Sequence, residues 1–294
     1  MVSENLVKFM KSNIQISLCS LLLVIGSLLT ACEVIPSGER EEVIFTPTDP
    51  STLKRTSLLI EYSGWQCVNC PTAAEEAHRL KELYGENLVV VVMHPETNPN
   101  TSYKNAAGKP NEAVNYTCPE ADSIYLMMGG TNTTPFPTGN INLFKHDTKS
   151  YFTDYSMWGK YISQAYSNPK PVIINQEVTG TADSKDINIA VDITNLDTQA
   201  IEATLQVWLT EDSVMGSQKK PEGTDKNYAH NHLLRASISP LWGEALPLDA
   251  QMTQQVVYEY TLPDKVAKEN CNIVAIVSAN GEVIQASETR IHIE

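Results

Sequence analysis

Basic residues are scarce in this sequence. Among its 294 residues, 21 lysines and arginines stand against 35 aspartates and glutamates, which gives a net charge of −14. Nucleic acids and anionic lipid surfaces attract cationic proteins, so this charge argues against both as partners. Hydrophobic residues make up 42% of the chain and charged residues 19%, as in folded globular proteins. The length is sufficient for two domains.

A long apolar run of membrane-spanning length is also missing. The run Ile16–Leu29 follows Lys8 and Lys11 and is too short for a spanning helix, but it suits the core of a signal peptide. It ends in Leu29-Thr30-Ala31-Cys32, which matches a bacterial lipobox. The match implies cleavage before Cys32 and a lipid on its sulfur, with an ordinary secretory signal as the alternative. Residues 1–31 are therefore predicted to be a lipoprotein signal peptide.

Cysteine is sparse as well, with six in the whole sequence. Cys19 is removed with the predicted signal peptide, and Cys32 carries the predicted lipid. Four thiols are left for the exported protein, namely Cys67, Cys70, Cys118 and Cys271. In an oxidising compartment, four cysteines allow three disulfide connectivities. The short separation of Cys67 and Cys70 favours a local pair.

Cys67 and Cys70 lie between a predicted strand and a predicted helix. The apolar segment Thr56–Tyr62 predicts a short buried strand. Four apolar residues then recur at helical spacing, at Ala73, Ala77, Leu80 and Tyr84. Pro71 suits the first turn of this helix, and Gly85 suits its end. Thiol redox chemistry is typical of this placement of two cysteines.

The predicted position of the pair has a chemical consequence. A thiol at a helix N-terminus meets the positive end of the peptide dipoles, so its pKa falls. This predicts Cys67 as a nucleophile and Cys70 as the thiol that resolves its mixed disulfide. Two alternatives stay open: a structural disulfide that caps the helix, and a zinc site. Since no second Cys-x-x-Cys occurs, zinc would need two further ligands, for which His94 and Cys118 are candidates.

The segment before this motif and the region around it differ in composition. Residues 32–52 are rich in Pro, Glu, Thr and Ser, which predicts a lipid-anchored flexible tether. Residues 53–168 alternate strands and helices, an α/β pattern. The further elements predicted there are a strand Leu88–Met93, a helix Pro119–Met128, a strand Gly139–Phe144 and a helix through Tyr155, Trp158, Ile162 and Ala165. The Asn- and Pro-rich insertion His94–Thr117 is the kind of loop that selects substrates.

The pattern changes at Asn168–Pro171, where two prolines interrupt any helix. Strict alternation follows and predicts an all-β domain over 172–294. The predicted strands are Val172–Val178, Asp186–Ile193, Ile201–Leu209, His232–Ile238, Thr253–Leu262, Asn272–Ser278 and Val283–Ile291. Seven short strands indicate an immunoglobulin-like β-sandwich. A fragment of the first domain alone is then expected to fold.

The residues around Cys67 and Cys70, together with the later Phe136-Pro137-Thr138, resemble a thioredoxin fold. The resemblance implies a cis-proline loop at Pro137 beside the cysteines, with a proline that simply ends a loop as the alternative. It also implies a buried acid below the disulfide at Glu61. A buried carboxyl has a raised pKa and can accept the proton of the resolving thiol, whereas an exposed one would be an ordinary strand-end carboxylate.

From the lipobox to Tyr228–Arg235, the chain resembles the outer-membrane-protein-28-related lipoproteins of Gram-negative bacteria. The resemblance implies an outer-membrane location, facing the periplasm or the cell surface. The expected fold class is α/β plus all-β, a thioredoxin-like domain followed by an immunoglobulin-like β-sandwich. The expected partners are protein thiols or disulfides of the cell envelope, and the membrane through the lipid on Cys32. No nucleic acid, metal or other cofactor is expected.

Two functions of different class follow. The first is a thiol–disulfide oxidoreductase in which Cys67, Cys70, Glu61 and Pro137 form the catalytic site. The second is a non-enzymatic lipoprotein, with the thioredoxin-like domain as a scaffold and the sandwich binding a protein or glycan. Thioredoxins carry Trp directly before the first cysteine, whereas Gln66 stands here. The Val68-Asn69 pair between the cysteines matches neither known reductants nor strong oxidants, so the direction of catalysis is open.

Three other side chains carry simpler predictions. His230 and His232 alternate along one predicted strand, which indicates an exposed polar face rather than a metal site. Cys118 precedes Pro119 at a predicted helix start, which is expected to lower its pKa, with an unreactive spare thiol as the favoured alternative.

Overall fold

The computed structural model describes residues 53–102, 114–146 and 150–293. The predicted signal peptide, the lipid site Cys32 and the tether lie outside the described residues, as does most of the insertion after His94. Within the described ranges, every helix is too short or too polar to cross a membrane.

The N-terminal half alternates strands and helices in the predicted order. Its elements are β1 (Ser57–Tyr62), α1 (Cys70–Tyr84), β2 (Leu88–Met93), α2 (Pro119–Met127), β3 (Thr138–Ile141) and α3 (Trp158–Tyr166). Strand β3 is shorter than predicted because Asn142 and Leu143 have positive φ angles of 57° and 55°. Backbone in this region leaves the extended conformation, so the strand ends at Ile141.

The C-terminal half consists of strands. They are β4 (Val172–Gly180), β5 (Asp186–Asn195), β6 (Ile201–Glu211), β7 (Val214–Lys220), β8 (Gly223–His230), β9 (Leu233–Ser237), β10 (Glu244–Leu248), β11 (Thr253–Thr261), β12 (Cys271–Ala279), β13 (Glu282–Arg290) and β14 (His292–Ile293). All seven predicted strands are present. The sequence did not predict β7, β8, β10 or β14.

One large sheet runs through both halves of the chain. Its strand order is β13-β12-β6-β9-β2-β1-β3, and β10 pairs with β6. Strands β1 and β2 are parallel, and β9 joins β2 in parallel through Val92 and Leu233. Strands β11-β5-β4-β14 form a second sheet, and β7 and β8 form a separate hairpin. The protein is therefore a mixed α/β structure with mostly sheet.

Three apolar layers cover the two faces of the large sheet. On the β1–β2 part, Leu59 and Val90 pack against α1 and α3. Leu58 and Ile60 point to the opposite face and pack against α2 and against Trp208 of β6. The other face of β6 and β12 packs against the second sheet. Side chains from the C-terminal half, after Pro171, thus form part of the hydrophobic core of the N-terminal half.

This shared core changes what we expect of fragments. Residues 53–168 without the remainder expose the apolar face of β1 and β2 that Trp208, Leu234, Val274 and Ile276 cover. Burial of such side chains supplies most of the folding free energy. We expect the fragment 53–168 to lack the cooperative thermal transition that residues 53–294 show, measured by circular dichroism. Cooperative melting of the fragment would instead support the sequence-based division into 53–168 and 172–294, which stays a prediction.

Candidate functional site

The two cysteines lie where the sequence predicted, between the end of β1 and the start of α1. Cys67 and Cys70 form a disulfide with a Cα–Cα distance of 5.4 Å. Helix α1 begins at Cys70 with Pro71 in its first turn, and Gly85 ends it with a φ of 56°. The pair therefore faces the free N–H groups of a helix N-terminus.

The loop before Cys67 is held by backbone hydrogen bonds. The Cys67 amide donates to the Gly64 carbonyl at 2.9 Å, and the Gln66 amide donates to the Asn100 carbonyl at 3.0 Å. A Cβ atom at Gly64 would lie 2.5 Å from the Asn100 carbonyl oxygen. Only glycine allows this close approach of two backbone segments, so Gly64 fixes the loop beside residues 98–101.

A hairpin from the C-terminal half covers this loop; we name the β7–β8 pair the covering hairpin. The Gln218 side-chain amide donates to the carbonyls of Cys67 at 2.8 Å and Gly64 at 3.4 Å. The Lys219 amide donates to the Trp65 carbonyl at 2.8 Å. Cys67 is only 4% exposed and Cys70 only 1%. The covering hairpin therefore shields the disulfide from solvent.

Glu61 is buried next to this motif, as the thioredoxin resemblance implied. It is 1% exposed, and neither carboxylate oxygen has a hydrogen-bond partner within the described residues. Burial raises its pKa from 4.5 to about 7, while the neighbouring Ser63 side chain and the charge of His232 oppose the rise. Glu61 shares the sheet face of Leu59, on which α1 packs. A carboxyl that titrates near neutral pH thus lies on the face that α1 covers.

Pro137 also has the predicted conformation. The Phe136–Pro137 peptide bond is cis. Thr138, the next residue, pairs with Tyr62 at the carboxyl end of β1, and the cysteine loop leaves β1 at the same end. The topology therefore brings Glu61, Pro137 and the disulfide to one edge of the sheet.

A cluster of aromatic and histidine rings lies between β2 and the covering hairpin. The His230 ring centroid lies 4.3 Å from that of Tyr116, 4.9 Å from that of Tyr228 and 5.6 Å from that of His94. His94 is 1% exposed, and burial, with His230 and Arg235 nearby, holds its pKa well below the ordinary value. His94 is therefore neutral at physiological pH.

This cluster corrects the prediction for the two later histidines. His230 ends β8 and is 5% exposed, whereas His232 lies between β8 and β9 with a φ of 57°. The two residues do not share an exposed strand face, because the chain turns between them. Tyr228 and His230 are two residues apart in the sequence, so they lie on one face of a strand. This spacing could have predicted that both face inward.

The other two thiols are buried. The Cys118 thiol donates to the Leu234 carbonyl at 3.5 Å, and burial raises its pKa to about 12. The prediction of a lowered pKa at this helix start is therefore wrong, because desolvation outweighs the helix N-terminus. Burial also raises the pKa of Cys271 to about 12. Across the described ranges, no three His, Cys, Asp or Glu side chains are grouped to hold a metal ion.

Comparisons with known proteins bear on the identity of the chain. A sequence profile of the family described as Outer membrane protein Omp28 matches residues 129–293. No curated protein matches the chain. Among solved structures, HBP35 of Porphyromonas gingivalis is similar with a TM-score of 0.62 and 16% identity, over 82% of this chain and 76% of that chain. At this identity the similarity shows the fold alone.

A second solved structure is a domain of the outer membrane lipoprotein Omp28 from Porphyromonas gingivalis. It matches 42% of this chain and 91% of its own length, at 21% identity and a TM-score of 0.31. This score is too low to support a structural argument.

The shielding of the disulfide leads to a first prediction for this site. Gln218→Met keeps the side-chain length but removes the amide donor, so the carbonyls of Cys67 and Gly64 lose a partner. We expect dithiothreitol to reduce the disulfide roughly tenfold faster in this variant, because a buried hydrogen bond no longer holds the hairpin closed. Maleimide labelling followed by mass spectrometry measures the rate.

The matched control lies on the same hairpin. Lys220 forms an ion pair with Asp225 at 2.8 Å, within the hairpin itself. Lys220→Met should therefore leave the reduction rate within about twofold of the original. Equal rates in both variants would show that the covering hairpin does not limit access.

The second prediction concerns pH. The Glu61 pKa of about 7 in the folded state exceeds its ordinary value of 4.5, so ionisation disfavours folding. The contribution of the protonated Glu61 carboxyl to folding stability is complete below pH 4.5, and it is lost as the pH rises through about 7. We compare the free energy of unfolding of Glu61→Gln with that of the original protein at pH 4.5 and at pH 8. The difference in favour of the variant should be about 3 kcal/mol larger at pH 8 than at pH 4.5.

Urea denaturation of the oxidised protein at both pH values measures this difference. Glu259→Gln, at an exposed position of β11, is the control and should leave the pH dependence unchanged. The same pH dependence in Glu61→Gln and in the original protein would contradict the raised pKa.

Proposed function

Because the chain belongs to the Outer membrane protein Omp28 family, we propose that it is a lipid-anchored thiol–disulfide oxidoreductase of the cell envelope. The family consists of outer-membrane lipoproteins of Gram-negative bacteria, so the location follows directly. Attachment through a lipid on Cys32 is part of the proposal. The observation that carries the proposed chemistry is the Cys67–Cys70 disulfide at a helix N-terminus, near a buried carboxyl.

The proposal includes a finer description of the fold. Residues 53–168 form a thioredoxin-like domain, and residues 172–294 form an immunoglobulin-like β-sandwich. The cis peptide at Pro137 and the order of β1, α1, β2, β3 and α3 support the first assignment. The apolar layer between the two sheets supports the second. The shared strand pairing between β2 and β9 makes the two parts neighbours in one sheet.

The proposed reaction runs in two steps when the protein begins in the reduced form. The Cys67 thiolate attacks a substrate disulfide, forms a mixed disulfide and releases one substrate thiolate. The Cys70 thiolate then attacks the Cys67 sulfur, restores the Cys67–Cys70 disulfide and releases the second substrate thiol. Two electrons pass to the substrate, and the protein is oxidised. The reduction potential of the pair sets whether this direction or its reverse dominates.

Glu61 has a defined role in the second step. Cys70 must lose its proton to become a nucleophile, and a carboxyl with a pKa near 7 both accepts and returns a proton at neutral pH. Glu61 lies on the sheet face that α1 covers, and Cys70 is the first residue of α1. We therefore assign Glu61 as the general base for Cys70.

In this proposal the backbone near Pro137 binds the substrate, and the covering hairpin controls the access of the substrate to Cys67. The backbone before β3 lies at the carboxyl end of β1, where an extended substrate segment can pair with it. The Trp65 carbonyl already accepts a backbone hydrogen bond from Lys219 of the hairpin. The hairpin must move away from Cys67 before a protein substrate reaches the sulfur, since Cys67 is 4% exposed.

The same shielding favours a second function of another class. A disulfide that is buried under a hairpin is suited to a structural role, with the sandwich as the part that binds a protein or glycan. The two functions differ in one property. An oxidoreductase exchanges its disulfide with other proteins, whereas a scaffold keeps it closed.

Trapping of mixed disulfides tests the first function. In Cys70→Ser, the resolving thiol is missing, so Cys67 should accumulate mixed disulfides with envelope proteins. Cys67→Ser should trap few. Glu61→Gln, with both cysteines present, should slow resolution roughly a hundredfold and leave the attack by Cys67 less affected. Non-reducing electrophoresis with mass spectrometry measures trapping, and rapid-quench kinetics with a disulfide peptide separates the two steps.

The control variant is Cys271→Ser. Cys271 is fully buried in the core of the C-terminal half, so its replacement should leave trapping at the original level. Equally negligible trapping by both active-site variants, together with a disulfide that resists dithiothreitol in the folded protein, would leave the scaffold function standing.

A further inference from the structure

The covering hairpin lies outside the two larger sheets and rests on the ring cluster beneath it. Its strands form a two-stranded sheet of their own. The cluster consists of His94 and Tyr116 from the N-terminal half, and of Tyr228 and His230 from the hairpin itself. Separation of the hairpin from the cluster therefore breaks no strand pairing of either larger sheet.

His94 is the member of the cluster that directly follows β2. It is 1% exposed, and its ring meets the His230 ring edge to face, at a centroid distance of 5.6 Å and an interplanar angle of 85°. Neither ring nitrogen of His94 has a hydrogen-bond partner within the described residues. A protonated imidazole carries two N–H donors and a positive charge, so the closed arrangement offers this cation neither an acceptor nor water.

The groups that face His94 from the neighbouring elements do not compensate such a charge. His230 faces it from β8 and Arg235 from β9, and both oppose a further positive charge. Tyr116 faces it from the segment before α2, with its ring centroid 5.6 Å away. Glu211 is already paired with Arg235, at 3.2 Å.

The acidic groups on the same side of the sheet are also accounted for. Glu61 shares the sheet face of His94, but its pKa of about 7 leaves this carboxyl mostly uncharged at pH 5. Asp212 and Glu288 lie 3.4 Å and 3.8 Å from the Nδ1 atom of His232. These two carboxylates therefore face another imidazole.

Protonation of His94 is linked to the position of the hairpin. In the closed state, burial holds the pKa of His94 well below the ordinary value of 6.5, whereas an imidazole in water titrates near 6.5. A group that takes up its proton only in the open state favours opening as the pH falls below that value. Between pH 7.5 and pH 5.0 the open fraction then rises by up to about 30-fold.

We propose that the contact of His94 with His230 is a pH-sensitive switch, which keeps the covering hairpin over the disulfide at neutral pH and releases it in acid. Once His94 is protonated, the hairpin separates from it, water reaches the imidazolium, and Cys67 becomes accessible. As regulation of the redox site, the inference rests on the proposed function. The opening itself requires no reaction at the disulfide.

Reduction of the disulfide by tris(2-carboxyethyl)phosphine tests the proposal. The original protein and His94→Gln are compared at the same pH, so the pH dependence of the reagent cancels in the ratio of their rates. This ratio should be about tenfold to 30-fold larger at pH 5.0 than at pH 7.5, because glutamine takes up no proton. A change of less than fivefold would overturn the proposal, since the acid effect would then belong to another group such as Glu61.

The matched control is His78→Gln on α1. The His78 side chain is 72% exposed and lies 3.3 Å from Glu82, so it has no part in the cluster. This variant should keep the acid response of the original protein. Loss of the response in His78→Gln as well would overturn the assignment to His94.

Hydrogen exchange of the original protein decides the matter if His94→Gln fails to fold. Protection of the hairpin amides, residues 214–230, should fall about tenfold between pH 7.5 and pH 5.0 after correction for the intrinsic exchange rate. Protection of β12 should stay unchanged, because β12 is buried in the core of the C-terminal half. Unchanged hairpin protection, or an equal loss in both segments, would overturn the proposal.

Failure of the proposed function gives a different result. If Cys70→Ser traps no mixed disulfides at either pH while the hairpin still opens in acid, the oxidoreductase function is contradicted and the switch stands. Trapping at both pH values without any opening that depends on His94 would contradict the switch alone.

Discussion

Strand β9 pairs with β2 and so connects the strands of the C-terminal half to those of the N-terminal half. Strand β9 also pairs with β6, so the single contact of Leu233 with Val92 joins the strands of both halves into one sheet. The covering hairpin lies in the chain between β6 and β9, and this junction therefore places it over the cysteine loop. The same sheet sets α2 against β6 and β12.

The site beneath the covering hairpin contains polar groups in an apolar setting. Glu61 and His94 are both 1% exposed, and each lacks a hydrogen-bond partner among the described residues. Burial favours the uncharged form of both groups, so it raises the pKa of the carboxyl and lowers that of the imidazole. Unsatisfied buried polar groups of this kind cost folding stability.

Shielding and reactivity act in opposite directions at the disulfide. The helix N-terminus favours a thiolate at the cysteine pair, whereas the covering hairpin restricts access to it. The structure of the oxidised protein is therefore compatible with a redox-active disulfide and with a structural one. The two differ in whether the covering hairpin moves away from Cys67. By contrast, burial raises the pKa of Cys118, which lies at the start of α2, and of Cys271 to about 12, and so disfavours their thiolates.

Features that local chemistry controls could be predicted from the amino-acid sequence. Apolar spacing gave β1, α1 and β2, Pro71 and Gly85 marked the ends of α1, and resemblance gave the cis peptide at Pro137 and a buried Glu61. The covering hairpin escaped prediction because its strands are mostly polar and carry few apolar residues to mark a buried face, although Pro221 and Gly223 mark its turn. Its contacts with Cys67, the burial of His230 and the pKa of Cys118 depend on residues distant in sequence. These features arise only when the chain folds, since desolvation is a property of the assembled core.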